Sequence, residues 1–103
     1  MITAIVRYKL PSTIGKDACR EHFMKIAPGF SAAKGLLRKQ FIWSESGIAG
    51  GVYQWETLQN AKAFYQGPWL DGILTRYSNY PEIEYFTTFA IADNPGGKLT
   101  IPD

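Results

Sequence analysis

The chain has 103 residues, of which 46% are hydrophobic and 15% aromatic, and its formal charge at pH 7 is +2. This length corresponds to one domain, and its 11 basic residues are scattered among 9 acidic ones, which argues against a nucleic-acid surface. No apolar run approaches the ~18 residues of a membrane-spanning helix, and the amino terminus lacks a signal-peptide pattern. The single cysteine, Cys19, cannot form an internal disulfide, so we expect a reducing, cytoplasmic location.

The first elements predicted in chain order are a strand and a helix. Ile2–Lys9 alternates as a strand does. Pro11 breaks this strand, and Ser12 or Thr13 can cap a helix that runs to about Ala27. An apolar stripe at three-four spacing marks the buried side of that helix and contains Ala18, Cys19, His22, Phe23, Ile26 and Ala27.

A hairpin with four aromatic side chains follows. Leu36–Ser44 and Ala49–Glu56 predict its two strands, joined by a turn at Ser46-Gly47 where glycine accepts a positive φ. An even loop separates the two aromatic pairs onto opposite faces, whereas an odd loop, or a bulge at Gly50-Gly51, unites them. We favour the register that unites them. The four residues are Phe41, Trp43, Tyr53 and Trp55.

The second half of the chain predicts two helical pieces, one strand and a tail. Thr57 caps a helix over Leu58–Gln66, and Pro68 opens another that reaches about Tyr77. Ile83–Ala92 is the last predicted strand. The composition then turns to Asn, Pro, Gly and Lys, so we expect one domain over residues 1–92 and a C-terminal tail over 93–103.

The order β-α-β-β-α-β predicts an α+β fold of the ferredoxin-like plan, a four-stranded antiparallel sheet with helices on one face. The last strand is apolar on both sides, with Tyr85 and Phe89 on one and Phe86 and Ala90 on the other. Helices cover only one face of such a sheet. We therefore expect a homodimer in which two sheets pack face to face as a dimeric α/β barrel.

The residues that could carry chemistry are few. His22 is the sole histidine, and on a buried stripe a histidine is more often a hydrogen-bonded core residue than a catalyst. Cys19 and His22 supply at most half of a tetrahedral zinc site, so no metal site is predicted. The sequence contains no Ser-His-Asp constellation, phosphate loop or dinucleotide fingerprint. Glu45 and Glu56 flank the hairpin, where we expect them to be solvated.

The four hairpin aromatics leave two interpretations open. They can be plain core, or they can line an apolar pocket for a flat ligand, with Tyr and Trp supplying its polar groups. Arg7 and Lys9 on the first strand could place a cation at the rim of such a pocket. We favour a pocket on the sheet face away from the helices, with Trp55 in it and Gln54 on the helix side.

Three stretches resemble a known family: Trp43-Ser44-Glu45-Ser46, Ala49-Gly50-Gly51-Val52-Tyr53-Gln54-Trp55, and Ala61 to Tyr65. Over residues 2–92 the chain resembles the YdhR-type mono-oxygenases of the dimeric α/β-barrel superfamily. That superfamily includes cofactor-free mono-oxygenases of phenolic, quinone-forming substrates, haem-degrading enzymes and lactone isomerases. Trp55 holds a position similar to a pocket tryptophan of the quinone-forming members, whereas Gly51 stands where they use a polar side chain.

The resemblance implies a cofactor-independent mono-oxygenase that oxidises a small aromatic or enolisable substrate in an aromatic barrel pocket. Haem-degrading members place a histidine ligand after the start of the second helix, and Leu58–Tyr80 contains none, so we expect neither haem nor another cofactor. We predict Trp55, from the resemblance, and Arg7, from its place on the first strand, as catalytic residues. The predicted substrate-binding residues are Phe41, Trp43, Tyr53 and Tyr85.

A non-oxidative function is the alternative. On the same barrel the chain could be a small-molecule binding protein, or a lactone isomerase that uses His22 or a carboxylate as its acid–base group. In either case the expected partners are a small aromatic or enolic ligand and a second copy of the chain, with neither nucleic acid nor a membrane involved.

Overall fold

The computed structural model of the chain describes residues 1–102 and shows a four-stranded antiparallel sheet, three α-helices and a small C-terminal hairpin. The sheet strands are β1 (Ile2–Lys9), β2 (Leu36–Ser44), β3 (Ile48–Trp55) and β4 (Glu82–Thr87), in the spatial order β2-β3-β1-β4. The helices are α1 (Lys16–Ile26), α2 (Leu58–Phe64) and α3 (Pro68–Tyr77), and a 3₁₀ helix covers Ala27–Ala32. The predicted α+β, ferredoxin-like fold is confirmed.

The hairpin of β2 and β3 has the register that unites its aromatic side chains. Phe41 pairs with Gly51 and Trp43 with Ala49 across a loop of odd length, residues 45–47. All four aromatics share one face of the sheet, as predicted, and this is the face that the helices cover. The register irregularity lies between Leu36 and Arg38, not at Gly50-Gly51.

Gly50 is required by the close packing of β1 against β3. It pairs with Arg7, and a Cβ atom at this position would overlap the carbonyl oxygen of Val6. Neither backbone can retreat, because both strands are held on their far sides as well, β1 by β4 and β3 by β2. A side chain at this position would therefore break the centre of the sheet.

Trp55 lies beneath α2, at the most buried point of the core. Its side chain has 0% exposure, its ring centroid is 5.2 Å from that of Phe64, and its indole N–H donates a 3.0 Å hydrogen bond to the Tyr65 hydroxyl. Gln54 points to the opposite face, where it bonds to Thr3. The prediction that Trp55 faces away from the helices and Gln54 toward them is wrong, because Tyr65 satisfies the polar group of the buried indole.

The start of α1 and the end of β4 also differ from the prediction. Gly15 precedes α1 and no side chain caps it, so Ser12 and Thr13 are not its caps. β4 ends at Thr87 rather than Ala92, because its partner strand β1 begins at Ile2, the residue that pairs with Thr87. One further backbone hydrogen bond follows, from Thr88 N to Met1 O over 3.1 Å. The cap of α2 is confirmed, since Asn60 N donates to Thr57 Oγ1 over 3.0 Å.

A short hairpin occupies part of the segment predicted as an irregular tail. Strands β5 (Ile91–Asp93) and β6 (Lys98–Thr100) pair antiparallel. Asp93 forms an ion pair with Arg38 of β2, with 3.3 Å between Oδ1 and the guanidinium nitrogen Nη1. Leu99 and Ile101 remain 60% and 67% exposed. Asp103 belongs to the predicted tail but lies outside the described residues.

The sheet face away from the helices is partly apolar. Ile5, Ile42 and Val52 are half-buried on this open face, and Phe86 is 41% exposed beside them. The helices all lie on the other side. Within residues 1–102 no helix combines the length and the apolar character needed to cross a membrane.

Candidate functional site

A cavity of about 410 Å³ lies between α1, α3 and the helix-covered face of the sheet. This volume is that of a site for a small organic ligand. Six aromatic side chains line it: Tyr8, Phe23, Phe30, Tyr53, Trp69 and Tyr77. Such a wall favours a flat ring, which can pack against the aromatic faces.

Helix α3 is fixed against the sheet by an aromatic stack. Tyr77, at its last turn, stacks on Tyr8 of β1 with ring centroids 4.3 Å apart and planes inclined by 25°. One turn and two turns earlier, the same side of the helix presents Ile73 and Trp69 to the cavity, because residues three and four apart share a helix face. Arg76 completes this side. The stack of Tyr77 on Tyr8 thus ties this part of the cavity wall to the sheet.

Three basic side chains line the cavity, His22, Lys39 and Arg76, and the lining found among residues 1–102 contains no aspartate or glutamate. The Nε atom of Arg76 is buried and has no hydrogen-bond partner in the described part of the chain. An unpartnered buried donor is costly, by about 1–3 kcal/mol. The arrangement therefore favours a ligand that brings a hydrogen-bond acceptor or a negative charge.

His22 is a base rather than a cation in this setting. Burial lowers the pKa of the His22 imidazole, and the positive charges of Arg76 and Lys25 lower it further. The ring is consequently neutral at pH 7 and keeps one nitrogen free to accept a proton. This placement goes beyond the core role that its position on an apolar stripe suggests.

Lys39 reaches into the cavity wall through a cluster of rings. Its Nζ lies 3.7 Å from the ring centroid of Phe30, 3.8 Å from that of Phe41 and 4.6 Å from that of Tyr53. Burial lowers the pKa of the Lys39 amine to about 7. The two ion pairs within residues 1–102 are Arg7–Glu84 and Arg38–Asp93, and neither includes this lysine.

The sequence-predicted binding residues are divided among three places. Tyr53 lines the cavity, and Phe41 lies under Lys39 at its edge. Trp43 belongs to a neighbouring groove, where Lys16 Nζ lies 5.1 Å from its ring centroid. Tyr85 packs with its ring centroid 6.2 Å from that of Tyr65, outside the cavity.

The two residues predicted to be catalytic do not line the cavity. Trp55 lies behind Tyr53, with the two rings stacked 5.9 Å apart at an angle of 7°. Arg7 lies on the open face, because its neighbours Val6 and Tyr8 point to the helices, and it forms a 3.8 Å ion pair with Glu84. The structure therefore separates Arg7 from the aromatic cluster by the thickness of the sheet.

Comparison with solved structures identifies proteins of the same architecture. A Nitrosomonas europaea protein of unknown function, NE2512, superposes with a TM-score of 0.71 at 16% identity, over 91% of this chain and 93% of that one. A proposed antibiotic biosynthesis monooxygenase from Deinococcus radiodurans gives 0.66 at 15% identity, over 85% and 92%. A mutant of SnoaB, a cofactor-independent oxygenase from Streptomyces nogalater, gives 0.59 at 17% identity, over 84% and 91%.

This chain has the fold of those proteins. The identities are too low to transfer an activity from them, and fold alone does not fix function. No protein-family model matches the sequence, and comparison with curated proteins finds no match. Function must accordingly be argued from the cavity itself.

Sequence reasoning gave no site role to Lys39, Arg76, Trp69 or Tyr77. The strand alternation could have revealed Lys39. It stands two positions before Phe41 and four before Trp43, so the three side chains point to the same face of the strand. Arg76 stands next to Tyr77, seven residues after Trp69, on the inward side of α3. Among the described residues no group of three His, Cys, Asp or Glu side chains could hold a metal ion.

Proposed function

We propose that the chain is a cofactor-independent mono-oxygenase that oxidises a small aromatic or enolisable substrate in the cavity between its helices and its sheet. The observation that carries this proposal is the buried Nε atom of Arg76, which has no hydrogen-bond partner among residues 1–102. The cavity lining drawn from these residues also contains no Asp or Glu that could neutralise the guanidinium. The fold shared with SnoaB, described as a cofactor-independent oxygenase, supports it. The resemblance of the hairpin to the YdhR-type mono-oxygenases supports the same family.

Two basic side chains act on the substrate, one by removing a proton and the other by stabilising the resulting anion. The neutral imidazole of His22 takes a proton from an acidic C–H or O–H group of the bound substrate. The guanidinium of Arg76 stabilises the enolate or phenolate that remains. The aromatic wall replaces part of the water around the anion, which is then less solvated and more reactive toward oxygen.

The oxidation then balances without a cofactor. The substrate anion gives one electron to dioxygen, and the resulting radical pair combines to form a carbon–oxygen bond. Breaking the O–O bond leaves one oxygen atom on carbon as a carbonyl group. The second oxygen atom leaves as water together with the two hydrogens that this carbon and its neighbouring groups have lost.

The residues predicted from sequence have supporting roles in this scheme. Tyr53 is part of the ligand-facing wall, and Phe41 lies beneath Lys39. Trp55 is a positioning residue that holds Tyr53 by stacking and α2 by its bond to Tyr65. Trp43 and Tyr85 extend the aromatic surface on either side. The scheme assigns no step to Arg7, which lies on the open face and pairs with Glu84.

The test is oxygen consumption by the purified chain with a panel of anthrone-type and polyphenolic substrates, without added flavin or metal. Uptake is expected for the wild type, and Arg76→Met is expected to lower kcat/KM about tenfold or more. Arg20→Met, at an exposed site on α1, is the matched control and should leave the rate unchanged. A panel without oxygen uptake, or equal rates for both variants, would contradict the proposal.

A lactone isomerase is the second candidate, because His22 lines the cavity as a neutral base. An isomerase that used a carboxylate as its acid–base group is not supported, because the cavity lining drawn from residues 1–102 contains no Asp or Glu side chain. An isomerase would move a double bond or a proton without consuming oxygen. Product analysis of an unsaturated lactone under nitrogen distinguishes the two functions, and His22→Gln should abolish the isomerisation.

A further inference from the structure

The Lys39 side chain is held in an unusual place for a lysine. Its Nζ lies above the faces of three rings, at 3.7, 3.8 and 4.6 Å from their centroids, and it lines the cavity. In residues 1–102 it has no carboxylate partner and no hydrogen bond. Most lysines keep their ammonium group in water, whereas this one is surrounded by aromatic carbon.

Gly51 makes this position available. A Cβ atom on Gly51 would lie 2.8 Å from Lys39 Cε and 2.9 Å from Tyr53 Cε1. Both contacts are far shorter than a normal carbon–carbon approach, ~3.5–4.0 Å. Because Gly51 has no side chain, it leaves the space through which the aliphatic stem of Lys39 passes from β2 over β3.

We propose that Lys39 is a nucleophilic amine that captures small aromatic aldehydes in the cavity as imines. The nitrogen lone pair attacks the carbonyl carbon and gives a carbinolamine. The carbonyl oxygen then leaves as water with two protons, which originate from the amine. No oxidant or reductant is needed, and hydrolysis reverses the step.

The cavity selects the class of carbonyl compound. Its volume of about 410 Å³ and its aromatic wall accommodate a single flat ring. Arg76, with its unpartnered Nε, favours a ring that also carries a phenol or another acceptor. A phenolic aldehyde carries both groups, a carbonyl carbon for the amine and a phenolic oxygen that can accept a hydrogen bond from the guanidinium.

The state of the amine agrees with this role. Burial lowers the pKa of Lys39 to about 7, so a large share of the group is neutral at neutral pH. An exposed lysine, with a pKa of about 10.4, is neutral in fewer than roughly one molecule in a thousand under the same conditions. Desolvation in an apolar pocket is an established way to activate a lysine for imine formation.

The experiment is reductive trapping with 4-hydroxybenzaldehyde and cyanoborohydride at pH 7, followed by peptide mapping of every alkylated amine. Lys39 is expected to be labelled about tenfold or more faster than the exposed Lys34, and its rate should saturate with aldehyde concentration. Labelling of Lys39 at the rate of Lys34 or below would overturn the proposal.

Two variants locate the reaction. Lys39→Met should remove the saturating adduct, and Gly51→Ala should slow labelling of Lys39 several-fold by displacing its stem. Gly96→Ala, where an added Cβ meets nothing within 4 Å, is the matched control and should label as the wild type does. The wild-type map decides the question even where Gly51→Ala fails to fold. Oxygen uptake plays no part in it, so this proposal and the mono-oxygenase proposal fail independently.

Discussion

The indole N–H of Trp55 donates a 3.0 Å hydrogen bond to the hydroxyl of Tyr65, and both side chains are buried beneath α2. Tyr65 also presents its edge to the Trp55 ring, with centroids 5.7 Å apart and planes at 82°. The bond joins the last residue of β3 to the end of α2. It satisfies two polar groups that would otherwise be stranded in the core, and it makes this tryptophan a structural support behind the cavity wall.

Replacing Trp55 with Phe should therefore cost stability rather than ligand affinity. The loss of ring volume and the stranded Tyr65 hydroxyl together are expected to lower the free energy of unfolding by about 2 kcal/mol or more. Urea denaturation measures this loss. Ligand affinity in the cavity should change less than about threefold, under 0.7 kcal/mol. A tenfold weaker affinity with unchanged stability would instead show that Trp55 contacts the ligand.

The buried amine of Lys39 should make stability depend on pH. The unfolded chain keeps a proton on this lysine up to about pH 10.4, whereas the folded chain releases it near pH 7. Between these values the unfolded state binds more protons, so this lysine's contribution to stability becomes more favourable as pH rises. Lys39→Met, which carries no proton, should be more stable than the wild type at pH 6, by a margin that shrinks toward pH 10.

Urea denaturation of both proteins at pH 6, 8 and 10 measures that margin. We expect it to shrink by about 1 kcal/mol or more, which corresponds to less than one unit of pKa difference. His22 and Arg76, the other basic groups at the cavity, are present in both proteins and largely cancel in the comparison. A margin that stays constant over this range would show that Lys39 titrates as an exposed lysine does.

Gly50→Ala should be among the most damaging single substitutions in the chain. The added methyl group would overlap the Val6 carbonyl oxygen in the middle of the sheet, and we expect a loss of about 3 kcal/mol or more, measured by thermal denaturation. Gly96→Ala, with open space around the new Cβ, should change the melting temperature little. Equal effects of the two substitutions would disprove the close approach.

The open face of the sheet should be the interface of a homodimer. An interface that covers its apolar side chains would bury on the order of 2,000 Å² in total. Phe86→Glu, on this face, should give a monomer in sedimentation at micromolar concentration, whereas Met24→Glu, 66% exposed on α1, should leave the dimer intact. A wild-type chain that sediments as a monomer would exclude this interface.

Deletion of Lys98–Asp103 should leave the melting temperature nearly unchanged. The described part of this segment contributes β6, which pairs only with β5, and its apolar residues Leu99 and Ile101 are largely exposed. Differential scanning calorimetry measures the effect. A fall of more than about 8 °C, roughly what 1–2 kcal/mol causes in a domain of this size, would show that the segment docks on the partner subunit.

The part of the fold that obeys strand periodicity was predictable from the sequence. Parity placed Phe41, Trp43, Tyr53 and Trp55 on one face once an odd loop was chosen, and the structure has that loop. Parity did not say which face the helices would cover. That choice depends on the Tyr65 hydroxyl, which reaches the indole N–H only after α2 has packed. A tertiary hydrogen bond of this kind has no local signature.

The C-terminal hairpin and the cavity were missed for different reasons. Asn94, Pro95, Gly96 and Gly97 suggested an unstructured tail, but these are also turn residues, and Gly97 has the positive φ of 68° that a turn uses. The cavity draws Lys39 from β2 and Arg76 from α3, elements far apart in the chain. Only the packing of α3 through the Tyr8–Tyr77 stack brings these residues to one space.

The space shared by Lys39 and Gly51 links two positions that are twelve apart in the chain. A long side chain at position 39 and any side chain at position 51 compete for one volume, so natural substitutions at the two sites should be coupled. Chains of this fold that carry a polar residue at the position of Gly51 should have a shorter residue in place of Lys39. A lysine at position 39 together with a glycine at position 51 is thus the sequence feature by which chains with the same cavity should be recognised among distant sequences.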